Sequence, residues 1–346
     1  MCSLSMNRDA QSSINPFAAQ QSLLRERLHF FLAPLHPMIR VDVVSALEEE
    51  GKLLSQPPAP SAGIWPLLTF LVAQYIAPDI NLISASSVAI AVECFVRAID
   101  LLDDIIDEDQ TPTVQALGEA RVLNTSTALL TLAQQALLSL SEQGVAPEKI
   151  LRLLSTLQES ALVVTAGQQW DVLAEQRPAQ EFTREECIEI AAAKAGSIMR
   201  LACLLGALCA DASNQLCEQF SELGELLGIA AQLDNDCHDL YHLVESENSA
   251  IMSTEANSIT RSVKSDLIRR KKTLPVVLAA TMQDTLQKTS LSADEEKKEY
   301  LRVLHEGIIA AWGICLLYRE RAYDRLREIE AQRPIAPEMR LLLGFS

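Results

Sequence analysis

Apolar residues recur every three to four positions along nearly all of this 346-residue chain, and no segment alternates strictly as a half-buried strand would. A chain that keeps the helical period everywhere buries its apolar faces between helices. The expected fold class is therefore all-α, a single large helical bundle. The spacing predicts helices over 17–32, 37–54, 65–77, 84–108, 118–141, 147–175, 184–210, 214–244, 262–285 and 294–331. Turn chemistry separates them at Gln56-Pro57-Pro58-Ala59-Pro60, at Asp109 to Pro112 and at Arg177-Pro178. The polar stretch 245–260 reads as a mobile loop. Residues 1–15 read as a disordered tail. No shift in composition marks a boundary, so 16–346 is expected to be one domain.

One helix ends in a run of acids: Leu101-Leu102-Asp103-Asp104-Ile105-Ile106-Asp107-Glu108-Asp109. Asp103 and Asp107 lie one turn apart on one face, Asp104 sits beside them, and Asp100 extends the stripe a turn earlier. Crowded like charges repel, so a compensating cation is expected. Mg²⁺ suits this donor set, because it takes one or two carboxylates and fills its shell with water and phosphate oxygens. The bland alternative is a solvated acidic helix end. A second cluster, Gln232-Leu233-Asp234-Asn235-Asp236-Cys237-His238-Asp239, also follows an apolar helical stretch. Asn235 and Asp239 are i, i+4 and Asp236 and Asp239 are i, i+3, so these oxygens can share a face. Two such clusters could hold several Mg²⁺ ions and one diphosphate. The second cluster lacks the glycine and final glutamate of an EF-hand loop, and the chain has neither a glycine-rich phosphate loop before a helix nor H-E-x-x-H.

The formal net charge of −17 sets this chain against nucleic acid and anionic lipid surfaces. A diphosphate would need metal ions or a local basic cluster to bind it. The eight cysteines form no CxxC pair and stand in helical, mostly apolar contexts. They read as reduced core thiols of a cytoplasmic protein. No signal peptide is read at the start, and no apolar run reaches the roughly 18 residues of a spanning helix.

Both acidic clusters, with their order and separation, resemble those of the trans-isoprenyl diphosphate synthases and related class I isoprenoid synthases. The resemblance spans about Leu82 to Ala280. Asp103-Asp104-Ile105-Ile106-Asp107 is similar to the first aspartate-rich motif, and Leu129-Leu130 to Ala133 resembles the helix after it. Gly167-Gln168-Gln169-Trp170-Asp171 is similar to GQxxD, and Lys194-Ala195-Gly196 to the KTG/KSG element. Gln232 to Asp239 is similar to the second aspartate-rich motif, and Lys271-Lys272-Thr273-Leu274-Pro275 to K-x-T-x-P.

The resemblance implies an all-α bundle whose two motifs face each other across a deep apolar cavity. It implies Mg²⁺ held by Asp103, Asp104, Asp107, Asn235, Asp236 and Asp239. The same aspartates would serve catalysis by drawing charge off a leaving diphosphate. Lys194 and Lys272 would pair with that diphosphate, with Gln168 and, more loosely, Arg261 beside them. The expected substrate is an allylic isoprenyl diphosphate and the expected assembly a homodimer. In elongating relatives a side chain about one turn before the first motif limits the pocket. Here that level is Ala98 and Ile99, with Phe95 about a turn deeper. One turn is about 5.4 Å, and the open path at Ala98 implies a substrate of about fifteen carbons or more.

Two departures shape the expected reaction. The family's basic G-G-K-x-x-R-P element for isopentenyl diphosphate corresponds to Ser61-Ala62-Gly63-Ile64-Trp65-Pro66, which has no Lys or Arg, and Trp65 replaces the arginine. The Arg-Arg pair after the first motif is also missing, since Gln110-Thr111-Pro112 follows Asp109. Asn235 replaces the first aspartate of the second motif, which is similar to the Asn of terpene cyclase metal motifs. The preferred expectation is a terpene synthase on a prenyltransferase scaffold, in which the allylic cation closes or is quenched. The alternative is a prenyltransferase that couples the cation to isopentenyl diphosphate or to another acceptor such as a peptide. A regulatory subunit of a synthase is the non-enzyme alternative.

Overall fold

The computed structural model describes residues 15–55, 59–252, 271–284 and 293–345. All regular structure among them is helical, as the 3.6 period requires. In chain order the helices are α1 (Ala18–Leu32), α2 (Pro37–Ala46), α3 (Ile64–Ile76), α4 (Leu82–Ile106), α5 (Pro112–Leu117), α6 (Glu119–Leu138), α7 (Pro147–Ala174), α8 (Arg184–Ala191), α9 (Ser197–Cys209), α10 (Asn214–Met252), α11 (Leu274–Asp284), α12 (Ala293–Glu330) and α13 (Pro337–Leu342). One π-helical turn, Leu47–Gly51, continues α2, and another, Ala192–Gly196, joins α8 to α9.

Several boundaries differ from the expected ones for local reasons. The helix expected over 84–108 stops at Ile106, because Asp107 leaves helical geometry as the C-cap and Glu108 takes a left-handed φ of 50°. A continuous helix expected over 184–210 is interrupted by the π turn at Ala192–Gly196. The start of the polar stretch 245–260 is still helical, since α10 runs to Met252. The remainder of that stretch, the tail 1–14, Arg261 and the start of the helix expected over 262–285 lie outside the described residues.

The described chain forms two compact units, neither continuous in sequence. The larger holds the residues up to Ala161, Ile198–Gly224 and those from Tyr323 onward; the smaller holds Leu162–Ser197 and Glu225–Ala322.

In the larger unit α4 is the buried axis. Every residue from Ser84 to Ala98 is buried, with α3 and α6 packed along it. It begins at Asn81, whose side chain accepts the backbone N–H groups of Ile83 and Ser84 at 2.9 and 3.2 Å. Ser126 on α6 donates its hydroxyl to the Ala98 carbonyl at 2.9 Å, so α6 is tied to α4 at the level of Ala98. The core of the smaller unit is built from α8, α10, α11 and α12, through residues such as Ile190, Leu233, Leu274 and Ile308. The seven described cysteines are free and buried, in keeping with core thiols.

When up to two charges are allowed per 18 residues, three described stretches are long and apolar enough to cross a membrane: Leu82–Ile106, Arg184–Cys209 and Lys298–Glu330. This corrects the sequence-based expectation that none would be. The apolar windows of the first two are 83% and 72% buried within the protein and that of the third 39%.

Candidate functional site

The first acidic set lies on the last turns of α4, in the larger unit. Helix carbonyls there leave a partial negative charge, so carboxylates at this end are doubly disfavoured without a cation. Asp103 and Asp104 are partly exposed and Asp107 is buried. The backbone N–H of Asp107 bonds to the carbonyl of Asp103 at 2.8 Å, which fixes the end of the helix. Thr111, the N-cap of α5, donates its hydroxyl to Asp104 Oδ2 at 3.0 Å. On the same helix Ala98 and Phe95 are fully enclosed, and Ile99 is partly exposed.

The second set lies on α10, within the smaller unit, and its rotation is fixed from behind. Asp234 accepts Trp312 Nε1–H at 3.2 Å and Arg319 Nη2 at 3.1 Å from α12. Asp236 is two residues on, roughly 200° around the helix, so anchoring Asp234 to α12 turns Asp236 away from it. Gln232, one turn earlier, donates its amide to Asp236 Oδ1 at 2.9 Å. Asn235 and Asp236 are partly exposed and Asp239 is exposed.

The same unit carries the other expected groups that lie within the described residues. Lys194 sits on the π turn Ala192–Gly196 and pairs with Asp171 Oδ2 at 2.8 Å. Single π turns inside helices concentrate at functional positions, because they present a side chain that a regular helix would place elsewhere. Two glycines permit the packing. A Cβ at Gly167 on α7 would stand 2.7 Å from Ala193 Cβ, and one at Gly228 on α10 would stand 2.7 Å from Gly196 Cα. Gln168 is buried, and neither atom of its amide has a hydrogen-bond partner, which marks a polar group awaiting one. Lys272 is buried, with Nζ 3.5 Å from the Glu175 carbonyl. Its own carbonyl accepts the Cys187 thiol at 3.2 Å. Lys271 next to it is partly exposed.

Sequence reasoning missed Trp312, Arg319 and Thr111 as supports of the acidic sets. Trp312 and Arg319 meet Asp234 across 78 and 85 residues, a separation at which no local pattern signals contact. The Thr-Pro at 111–112 is a readable N-cap with proline at the first helical position, and was legible as the start of α5.

Among the described residues no three His, Cys, Asp or Glu side chains converge on a ready-made metal cage. Mg²⁺ does not require one, since it takes few protein carboxylates and completes its octahedron with phosphate and water. The donors present are hard oxygens on two helix faces, which fit Mg²⁺ and not a thiolate- or imidazole-preferring metal.

The element corresponding to 61–66 forms the entry to α3. Gly63 takes a φ of 66° and Trp65 is buried in the first turn of the helix. The position expected to hold a cation therefore holds an apolar ring packed in the core.

All regular structure among the described residues is helical, with acid-rich helix segments and a lysine on a π turn, and this is the all-α fold of the isoprenoid synthases. The family model of polyprenyl synthetases matches residues 59–306, and the chain belongs to that family. A (2E,6E)-farnesyl diphosphate synthase of Mycobacterium tuberculosis is 30% identical over 218 residues, 62% of this chain and 55% of that protein. The chain thus spans about half the length of its mycobacterial relatives. A geranylgeranyl diphosphate synthase of Methanosarcina mazei is 27% identical over 266 residues, 70% of this chain and 79% of that one. The crystal structure of a geranylgeranyl pyrophosphate synthase superposes with a TM-score of 0.73 at 21% identity, over 96% of this chain and 100% of that one, which establishes the shared fold.

Proposed function

We propose that this protein is a Mg²⁺-dependent prenyltransferase that ionises an allylic isoprenyl diphosphate and transfers the prenyl group to an acceptor. The observation that carries the proposal is the family membership, together with the kinship to farnesyl and geranylgeranyl diphosphate synthases. Transfer to an acceptor therefore displaces closure of the cation as the preferred outcome. Asp103, Asp104 and Asp107 on α4, and Asn235, Asp236 and Asp239 on α10, are the groups that would hold Mg²⁺. The metal would supply Lewis-acid neutralisation of the leaving diphosphate.

The chain's own residues do the rest. Lys194 is a cation already positioned by Asp171, and it can exchange part of that partnership for a phosphate oxygen. Lys272, buried with Nζ beside the Glu175 carbonyl, offers a second ammonium to the diphosphate. Gln168 has an amide free to orient toward a ligand. Leu, Ile and Phe side chains on α4 keep water from the helix interior below the acids. We include Arg261 in the diphosphate set, a substrate of about fifteen carbons or more, a homodimer and a cytoplasmic location as parts of the same proposal.

A second reading survives on one observation. Residues 61–66 carry no cation and bury Trp65, so a second diphosphate is unsupported there. Under that reading the allylic cation closes or is quenched, or meets a neutral acceptor such as a peptide. Incubation with Mg²⁺ and the ten-, fifteen- and twenty-carbon allylic diphosphates, each with and without isopentenyl diphosphate, separates these outcomes by product mass. An elongated diphosphate assigns isopentenyl diphosphate as acceptor, and a hydrocarbon or alcohol assigns closure or quenching. Absence of diphosphate release from every substrate would sink the enzyme reading.

A further inference from the structure

Helix α12 grips α10 through one buried carboxylate. Asp234 is buried, and two side chains of α12, about two turns apart, bind its two oxygens. Trp312 donates Nε1–H to Oδ1 at 3.2 Å, and Arg319 donates through Nη2 to Oδ2 at 3.1 Å. The grip runs along one face of α10, since Asp234, His238 and Tyr241 fall at i, i+4 and i+7. His238 holds Nδ1 2.9 Å from the Asp234 carbonyl oxygen, and its ring lies 5.4 Å from that of Trp312, edge to face. Tyr241 packs on the same indole at 5.5 Å. All of these residues belong to the smaller unit. Apolar packing has no direction, so it holds two helices together without fixing how each is rolled about its axis. Hydrogen bonds do have direction, and the pair on Asp234 sets the roll of α10.

The roll matters because Asp236 and Asp239 stand about 200° and 140° around the helix from Asp234. A carboxylate at the rim lies about 5–6 Å from the helix axis, so a roll of only about 10° moves it by about 1 Å. Mg²⁺ demands near-ideal octahedral geometry, and a functional constellation tolerates errors of only about 0.5 Å.

We propose that Arg319 and Trp312 are positioning residues for the metal-binding set on α10. Through Asp234 they hold the roll at which Asn235, Asp236 and Asp239 present their oxygens to Mg²⁺. The inference rests on the Mg²⁺-dependent reading above and extends it to α12, a helix that carries none of the proposed metal ligands. Without the Arg319 cation, Asp234 is a buried carboxylate left with the indole N–H and the His238 ring, an unfavourable state for a charge. The helix relieves it by rolling Asp234 toward water, and the groups on its far side turn with it.

The test compares Arg319→Met, Trp312→Phe and, as a packing control, Cys315→Ala. Cys315 also joins α12 to α10, by a thiol bond to the Ala230 carbonyl at 3.2 Å, but it does not touch Asp234. The readout is calorimetric titration of Mg²⁺ into the full-length chain in the presence of inorganic diphosphate, with circular dichroism to confirm folding. Arg319→Met is expected to weaken Mg²⁺ binding about tenfold. Charge alone predicts the opposite, because removing a cation near the ligands favours Mg²⁺, so weaker binding reports lost geometry. Cys315→Ala should stay within about twofold of the starting protein. Folded Arg319→Met with unchanged or tighter Mg²⁺ binding overturns the proposal, as does a Cys315→Ala loss equal to that of Arg319→Met. If Arg319→Met does not fold, Trp312→Phe decides. It keeps a ring against His238 and Tyr241 and removes only the N–H, so binding about three- to fivefold weaker supports the proposal and unchanged binding refutes it. A starting protein that neither binds Mg²⁺ with inorganic diphosphate nor releases diphosphate from any allylic substrate defeats the proposed function, and this inference falls with it. Failure confined to the variants leaves that function standing.

Discussion

Replacing Gly228 by alanine probes whether the π turn that carries Lys194 must sit where it does. A Cβ there would stand 2.7 Å from Gly196 Cα and 2.8 Å from the Ala195 carbonyl carbon, with the Ala195 oxygen closer still. All three atoms are backbone, so no flexible side chain can give way, and α10 and the turn must separate by roughly half an ångström or more. Overpacking of this kind costs about 1–3 kcal/mol, offset by about 0.5–1 kcal/mol from replacing a helical glycine with alanine. The net expectation is a loss of about 1–2 kcal/mol, or roughly 1–3 °C in Tm for a chain of this size. Turnover should fall much further, by about 100-fold, because displacing a charged group by an ångström carries that order of effect. Gly313 on α12 is the internal control. A Cβ there meets nothing within 4 Å. Gly313→Ala should therefore gain about 0.5–1 kcal/mol of stability and leave turnover unchanged. Differential scanning calorimetry and diphosphate-release kinetics on both variants provide the check. If Gly228→Ala matches the starting protein in Tm and turnover, the close packing of α10 on the π turn does not govern Lys194.

Asp103→Ala and Asp236→Ala should each lower turnover by orders of magnitude while the far-ultraviolet circular dichroism stays helical, and unchanged turnover in both would remove the metal assignment. Glu93→Gln should be neutral or stabilising near pH 7 in chemical denaturation. The Glu93 carboxyl is raised in the fold by burial, so the native state holds its proton longer than the unfolded chain. That contribution is present at low pH and is lost as pH rises above about 4.5, so the advantage of Gln should grow upward from there; a constant difference from pH 4 to 8 contradicts it. Ala98→Phe should shorten the accepted substrate, and equal losses on ten- and twenty-carbon diphosphates would show that Ala98 only packs against a neighbouring helix.

The helical class and the two acidic sets could be read from sequence because each rests on short-range spacing, whereas the companion lysines rest on the resemblance to the isoprenoid synthases. Asp103 and Asp107, or Asp236 and Asp239, are brought to one face by helix geometry alone. The change from Lys and Arg to Ser61–Pro66 was equally legible, since a missing cation needs no fold to be noticed. Sequence spacing did not foretell the π turn at Ala192–Gly196. Local propensity favours a continuous alanine-rich helix there, and it is packing against Gly167 and Gly228 that accompanies the interruption. Nor could it tell Asp234 from Asp236. The two sit in one acidic run, and only Trp312 and Arg319, brought from far along the chain, commit the first to α12. Asp100 is the sharpest instance. Its spacing places it with the carboxylates of the first set, and only the fold shows that its Oδ2 lies 3.0 Å from Nη2 of buried Arg97. Periodicity fixes which residues share a helix face, because that depends on backbone geometry. Which of them is matched by a partner depends on burial and on long-range contacts, and these exist only once the chain has folded.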